Sequence, residues 1–262
     1  MGTLLADDEE PAVAICEGES AFVVICEHAS NRLPRALGTL GLAPGDLERH
    51  IAFDPGAADL AEGLAETLSG ALIRQRYSRL AIDCNRQPDL PDAIAVVSEG
   101  TPIPGNVNLS PQARAARIGE IWQPFHAAVA GLLDRRRVAR RAALIATIHS
   151  FTPVYRGVAR PWHAGIISTD DRRFSDGVLA GLRRVRGLAV GDNRPYSARD
   201  NVDHTIRRHG RDRGLPHVMI EIRNDLLRSG RDIADWTARL AVILQGVADQ
   251  MDLSPLAAAA TG

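Results

Sequence analysis

The chain's 262 residues are enough for one large α/β sheet with a substantial core, and 31 basic residues are balanced by 32 acidic ones. That near-neutral charge argues against nucleic acid or an anionic membrane surface as partner and leaves a small molecule as the expected one. Every basic residue is arginine, so the lack of lysine excludes Schiff-base chemistry and a P-loop lysine, while hydrolysis and group transfer stay open.

The N-terminal stretch is acidic and lacks the basic-then-apolar pattern of a secretory leader, and no apolar run approaches the ~20 residues of a membrane span. Cys16, Cys26 and Cys84 are odd in number and widely spaced, which fits neither a disulfide framework nor a cysteine zinc site and reads as a reducing, cytoplasmic setting. Continuous apolar, β-branched runs at 22–26, 71–73, 80–82, 144–148, 165–168 and 218–222 predict strands, several of them covered on both faces. Helical patterns at 57–68, 110–140, 173–184 and 233–251 lie between them, the second opened by Ser110 as N-cap followed by Pro111. This alternation predicts an α/β fold. Residues 88–109 carry Pro, Gly and Asn without a period and predict a long loop; 191–216 predict a second irregular, polar stretch with Tyr196, His204 and His209. The expectation is one domain over 1–262, with frayed tails at 1–12 and 253–262.

Four segments carry chemistry. His28 stands just past the first apolar strand, in Cys26-Glu27-His28-Ala29-Ser30-Asn31, where catalytic groups of open α/β sheets collect. His149 likewise ends the run Leu144-Ile145-Ala146-Thr147-Ile148, and two neutral nitrogen ligands on rigid strands are what a zinc site with an open position needs. The plainer alternative is that each imidazole caps its strand by bonding a loop carbonyl. Glu221 lies inside the apolar strand Val218–Ile222, where an ionised carboxylate must be paired, protonated or turned to a polar cavity; facing a metal it would act as proton shuttle. A buried ion pair with one of the many arginines is the competing reading. Asp83-Cys84-Asn85-Arg86 ends another apolar run, and Arg86 with Asn85 forms a receptor for a substrate carboxylate, unless Arg86 merely pairs with Asp83 or Asp89.

Together with Asp54-Pro55-Gly56-Ala57, Trp122-Gln123-Pro124-Phe125-His126 and Asn193-Arg194-Pro195-Tyr196-Ser197, these segments resemble the N-formylglutamate amidohydrolase family from about residue 22 to about 249. Ile148-His149-Ser150, Asn85-Arg86 and Glu221-Ile222-Arg223 are also similar to the zinc-ligand, carboxylate-binding and base segments of zinc carboxypeptidases. The resemblance implies a three-layer, phosphorylase/hydrolase-like α/β fold with a mixed central sheet, and zinc-assisted hydrolysis of the formamide of N-formylglutamate. Zinc would be held by His28 and His149, with Glu221 as base and Asn85, Arg86 and Tyr196 on the substrate. The carboxypeptidase His-x-x-Glu is broken here by Asn31, a poor zinc ligand, so the third ligand is open between Asp54, favoured as part of a shared motif, and a plain helix-capping role for Asp54. Glu27 would face the other side of the sheet if the strand ran on. Two further readings compete: a related zinc hydrolase of other N-acyl amino acids or short peptides, and a non-catalytic binding protein for acidic metabolites.

Overall fold

The most apolar runs of the chain lie side by side in a seven-stranded sheet of mixed direction. The structure, a computed structural model, describes residues 3–197, 203–251 and 253. In chain order it contains β1 (Val13–Cys16), β2 (Phe22–Cys26), α1 (Pro44–Leu47), α2 (Ala57–Thr67), β3 (Ala71–Gln75) and a ribbon of β4 (Val97–Ser98) and β5 (Thr101–Pro102). There follow α3 (Pro111–Arg117), α4 (Gln123–Val138), β6 (Leu144–Phe151) and a second ribbon of β7 (Val154–Tyr155) and β8 (Val158–Ala159). The last elements are β9 (Ala164–Ile167), α5 (Ser175–Arg183), β10 (Val190–Asp192), β11 (His217–Arg223) and α6 (Gly230–Ala248).

The strand order is β1-β3-β2-β6-β11-β9-β10. β3, β2, β6 and β11 run parallel, so their C-terminal ends share one edge; β1 and β9 are antiparallel to their inner neighbours. Side chains alternate across a strand, and both sets are apolar here. Phe22 and Val24 pack under α2, α5 and α6 with Leu60, Leu182 and Leu240, whereas Val23 and Ile25 pack under α4 with Phe125, Val129 and Leu132. Each such side chain withdrawn from water contributes roughly 1.5–3 kcal/mol, which sandwiches the sheet between two helical layers. Among the described residues, no helix is long and apolar enough to cross a membrane.

Several boundaries depart from expectation. The run 80–82 is not a strand. Leu80, Ala81 and Ile82 are buried as irregular chain, and side chains satisfy two of their carbonyls: Asn106 Nδ2 bonds Leu80 O at 2.9 Å and the buried Arg117 bonds Ala81 O at 2.9 Å. The helical run 110–140 is opened by Ser110 as its N-cap but divides at a π-turn, Ile118–Trp122, where Gln123 N bonds Ile118 O. Pro124 has no N–H for the regular ladder, and the wider turn absorbs that loss. Two edge strands, β1 and β10, of 4 and 3 residues, are too short for a pattern to stand out. The 88–109 loop contains the β4–β5 ribbon, and 191–216 begins in β10 and later forms a helical turn at Ile206–Gly210.

Residues 3–12 are not a frayed tail. The amides of Leu4 and Leu5 both bond the Glu120 carboxylate at 2.9 Å, and Leu4 and Ala12 are buried. Of the expected C-terminal tail, Leu253 packs against the core; 252 and 254–262 lie outside the described residues.

Candidate active site

The shared C-terminal edge of β2, β6 and β11 is where the chemistry-bearing residues meet. β2 runs into Glu27 and His28, while β6 and β11 are in register with His149 beside Glu221. Asp54 arrives on a turn closed by Gly56, whose φ of +77 and close approach to Leu227 leave no room for a Cβ. His28, Asp54, Asn85, Arg86, His149, Tyr196 and Glu221 all line one cavity of about 280 Å³, a size suited to a small molecule.

His28 Nδ1 and His149 Nδ1 converge on Asp54 Oδ2 at 3.2 and 3.0 Å, and a ligand atom from each of the three residues falls within 4.8 Å of the others. Asp54 therefore does not cap α2; the side chain turns inward, and the cap position belongs to Gly56. The opposite ring nitrogens face buried carboxylates: His28 Nε2 lies 2.8 Å from Asp83 Oδ1, and His149 Nε2 lies 3.1 Å from Glu27 Oε2. With Nε2 turned toward a carboxylate, each ring when neutral presents its Nδ1 lone pair toward the Asp54 oxygen, and Arg79 Nη1 also approaches His28 Nδ1 at 3.2 Å. Three donor atoms converge closely enough in this buried site to hold a metal ion, with the Arg79 guanidinium beside them. Two imidazoles and one carboxylate are a zinc donor set with room for a further ligand, and carboxylate-backed histidines are the usual support for it. The residues present fit a zinc ion.

The carboxylates around the two rings also bias their charge. Burial opposes charge on both imidazoles, but Glu27 beside His149, and Asp83 with Asp54 beside His28, raise both above the ordinary histidine range. Burial would likewise raise Asp54, yet Arg79 and His28 hold it well below the usual carboxylate range. Arg79 lies 3.1 Å from Asp54 Oδ1 and bonds the backbone carbonyls of Ile51 and His50. Glu221 behaves differently. Burial pushes its carboxyl up to about 7 against the pull of His149, and its buried Oε2 has no hydrogen-bond partner. The expected alternative, a structural ion pair with arginine, does not form among the described residues.

On the substrate side, Arg86 Nε lies 3.1 Å from Asp92 rather than pairing with Asp83 or Asp89. Asn85 Oδ1 accepts the Thr205 amide at 3.1 Å, and Trp122 Nε1 donates to Arg86 O at 2.9 Å. His126 stands behind this dipeptide: its Nε2 donates to Cys84 O at 2.9 Å, and its Nδ1 accepts from His209 Nε2 at 2.9 Å. Tyr196 is brought in by the close packing of 194–196 against β9, where Gly165 is obligatory because a Cβ would lie 1.9 Å from Arg194 O. The Tyr196 oxygen accepts from Arg160 at 3.2 Å, and burial, assisted by Glu221, raises its hydroxyl to about 12, so it remains a proton donor.

Sequence reasoning missed the placing of Glu27 and Asp83 behind the two histidines, and read Arg79 only as one of several arginines of which some should face the pocket. The signal available for two of them was adjacency, a buried acid next to a ligand histidine and another two residues before Asn85. Asn31 lies apart, donating to Leu47 O at 3.1 Å and to Glu48.

Comparison with known proteins agrees with this arrangement. The family model for N-formylglutamate amidohydrolase matches residues 20–228. The crystal structure of a gene product from Agrobacterium tumefaciens is 39% identical with a TM-score of 0.92, covering 94% of this chain and 98% of that one. The crystal structure of an N-formylglutamate amidohydrolase from Ralstonia eutropha shares the fold at 20% identity and a TM-score of 0.69, covering 92% and 98%. Among curated proteins, none matches the sequence. With four-fifths of its length matched by one family model, the chain belongs to the N-formylglutamate amidohydrolase family, hydrolases of linear amide bonds.

Proposed function

We propose that the cavity hydrolyses the amide of an N-acyl acidic amino acid, with N-formyl-L-glutamate as substrate and zinc held by His28, Asp54 and His149. The observation that carries this reading is Glu221, a buried carboxylate raised to about 7 with an unpartnered oxygen, beside a convergent His–Asp–His set. Zinc, when bound, would supply Lewis acidity, polarising the acyl carbonyl and making water more acidic.

The chain's own groups do the rest. A Glu221 oxygen takes a proton from the water that attacks the acyl carbon and later delivers it to the leaving nitrogen as the C–N bond breaks, releasing formate and glutamate. A pKa near neutrality suits both halves of that shuttle. The Tyr196 hydroxyl donates to the acyl oxygen as charge gathers there, while Arg160 fills its acceptor side. Asn85 and Arg86 hold the α-carboxylate and fix the amide against Glu221. Cys26 and Cys84 are buried, unpaired thiols, in keeping with a cytoplasmic location.

Zinc-loaded protein should release formate from N-formyl-L-glutamate. Glu221→Gln should keep its zinc by elemental analysis and lose roughly 10²–10⁴ in turnover. Loss of zinc with full activity would make Glu221 a ligand and overturn the assignment. Release of acetate from N-acetylglutamate in place of formate would change the acyl group but leave the residue roles standing.

A further inference from the structure

A glutamate-type substrate carries two carboxylates, and the cavity is lined by three guanidinium groups with different partners. Arg79 is paired with Asp54 and tied to two backbone carbonyls. Arg86 reaches the cavity from the chain after β3 and is shared with Asp92 and the Asn85 carbonyl. Among the described residues, Arg156 has no carboxylate within ion-pairing distance, and its guanidinium lies 5.3 Å from the Tyr155 ring.

The place of Arg156 is built. It occupies the two-residue turn of the β7–β8 ribbon, where Tyr155 pairs with Val158 and Arg156 and Gly157 have φ of +48 and +78. Two successive positive φ values suit a tight hairpin, but Asn or Gly normally takes the first position, because a side chain with a β-carbon is disfavoured there. The ribbon is anchored at its base. Arg160 N bonds Pro153 O at 2.8 Å, and the Arg160 guanidinium lies 4.5 Å from the Tyr155 ring and 4.9 Å from the Tyr196 ring. A cation is thus carried into the cavity lining on a turn that Arg160 braces against Tyr196, which lines the same cavity.

We propose that Arg156 is the receptor for the side-chain carboxylate, acting opposite in role to Asn85–Arg86 on the α-carboxylate, and that it sets the preference for acidic over neutral side chains. This rests on the amidohydrolase reading above. Because Arg156 is exposed, its grip is screened by water and salt, so the preference should be about tenfold and should fall as ionic strength rises.

The test compares N-formyl-L-glutamate with N-formyl-L-glutamine, which differ in one charge. In zinc-loaded protein, Arg156→Gln should bring the ratio of their kcat/KM values toward one, mainly through KM for the acid, and Arg156→Lys should restore part of it. Calorimetric binding of the same two compounds to Glu221→Gln, with and without Arg156→Gln, reads the preference where no turnover occurs. Loss of the preference with Arg156→Gln supports the assignment even if neither compound is hydrolysed by the wild type, in which case the amidohydrolase reading fails by itself. A preference that survives Arg156→Gln, or that is absent while Arg156 is present, overturns it.

Discussion

Two of the site's residues act through their neighbours. Asp83 and Glu27 stand behind His28 and His149, each turning one ring nitrogen away so that the other faces Asp54. A charged acceptor makes the imidazole a stronger ligand and locks its orientation. Asp83→Asn keeps an acceptor oxygen but removes the charge, and zinc affinity should fall roughly 10- to 100-fold in a chelator competition. An affinity equal to wild type would reduce Asp83 to a packing role. Glu221 is in the opposite circumstance, since its buried Oε2 has no hydrogen-bond partner among the described residues.

At the scale of elements, the segment from Tyr77 to Arg86 brings Arg79, Asp83, Asn85 and Arg86 to the cavity without belonging to the sheet. Its backbone is held by side chains from elsewhere. Arg117, almost wholly buried, bonds Ala81 O, Asn106 Oδ1 and Gly105 O, and burial lowers its pKa only to about 10, so it stays charged. Arg117→Met would strand these acceptors at roughly 1–3 kcal/mol for each group left unsatisfied, visible as a lower urea midpoint with an unchanged slope. An unaltered midpoint would mean that water or Asn106 replaces the guanidinium. This support explains what the sequence conveyed and what it did not. Residues 80–82 are as apolar as a strand because they are as buried as one, and no local pattern reveals that Asn106 and Arg117 take the place of a strand partner. His28, His149 and Glu221 were legible because each is a polar residue at or within an apolar run, the mark of a parallel strand reaching a site. Asp54 stood out by its motif and by its place between a short apolar stretch and a helix. Glu27 was misjudged because the alternation rule was extended past Cys26, where β2 has already ended.

For the whole molecule, acid response follows from the histidines behind the cavity. Burial, reinforced by Arg208 and other cations, lowers His209 to about 3 and His204 to about 4; burial with His209 and His204 also lowers His126. The unfolded chain protonates these rings near pH 6.5 while the folded one does not, so their stabilisation is complete above that value and is lost as pH falls toward 3. His209→Gln should make the urea midpoint decline less steeply than wild type between pH 6.5 and 4; parallel declines would show that other groups govern the acid limb. The sheet order has a consequence for synthesis as well. β2 is apolar on both faces, yet its partner on one side, β6, pairs Leu144 with Phe22 and Ile145 with Val23, and β6 in turn waits for His217 and its neighbours in β11. While the ribosome is still delivering the middle of the chain, β2 and β3 can pair but the far edge of β2 stays open, a sticky template until residue 144 and beyond emerge. Nascent chains stalled before β6 should therefore be the ones that chaperones retain, and those stalled after β11 should be released.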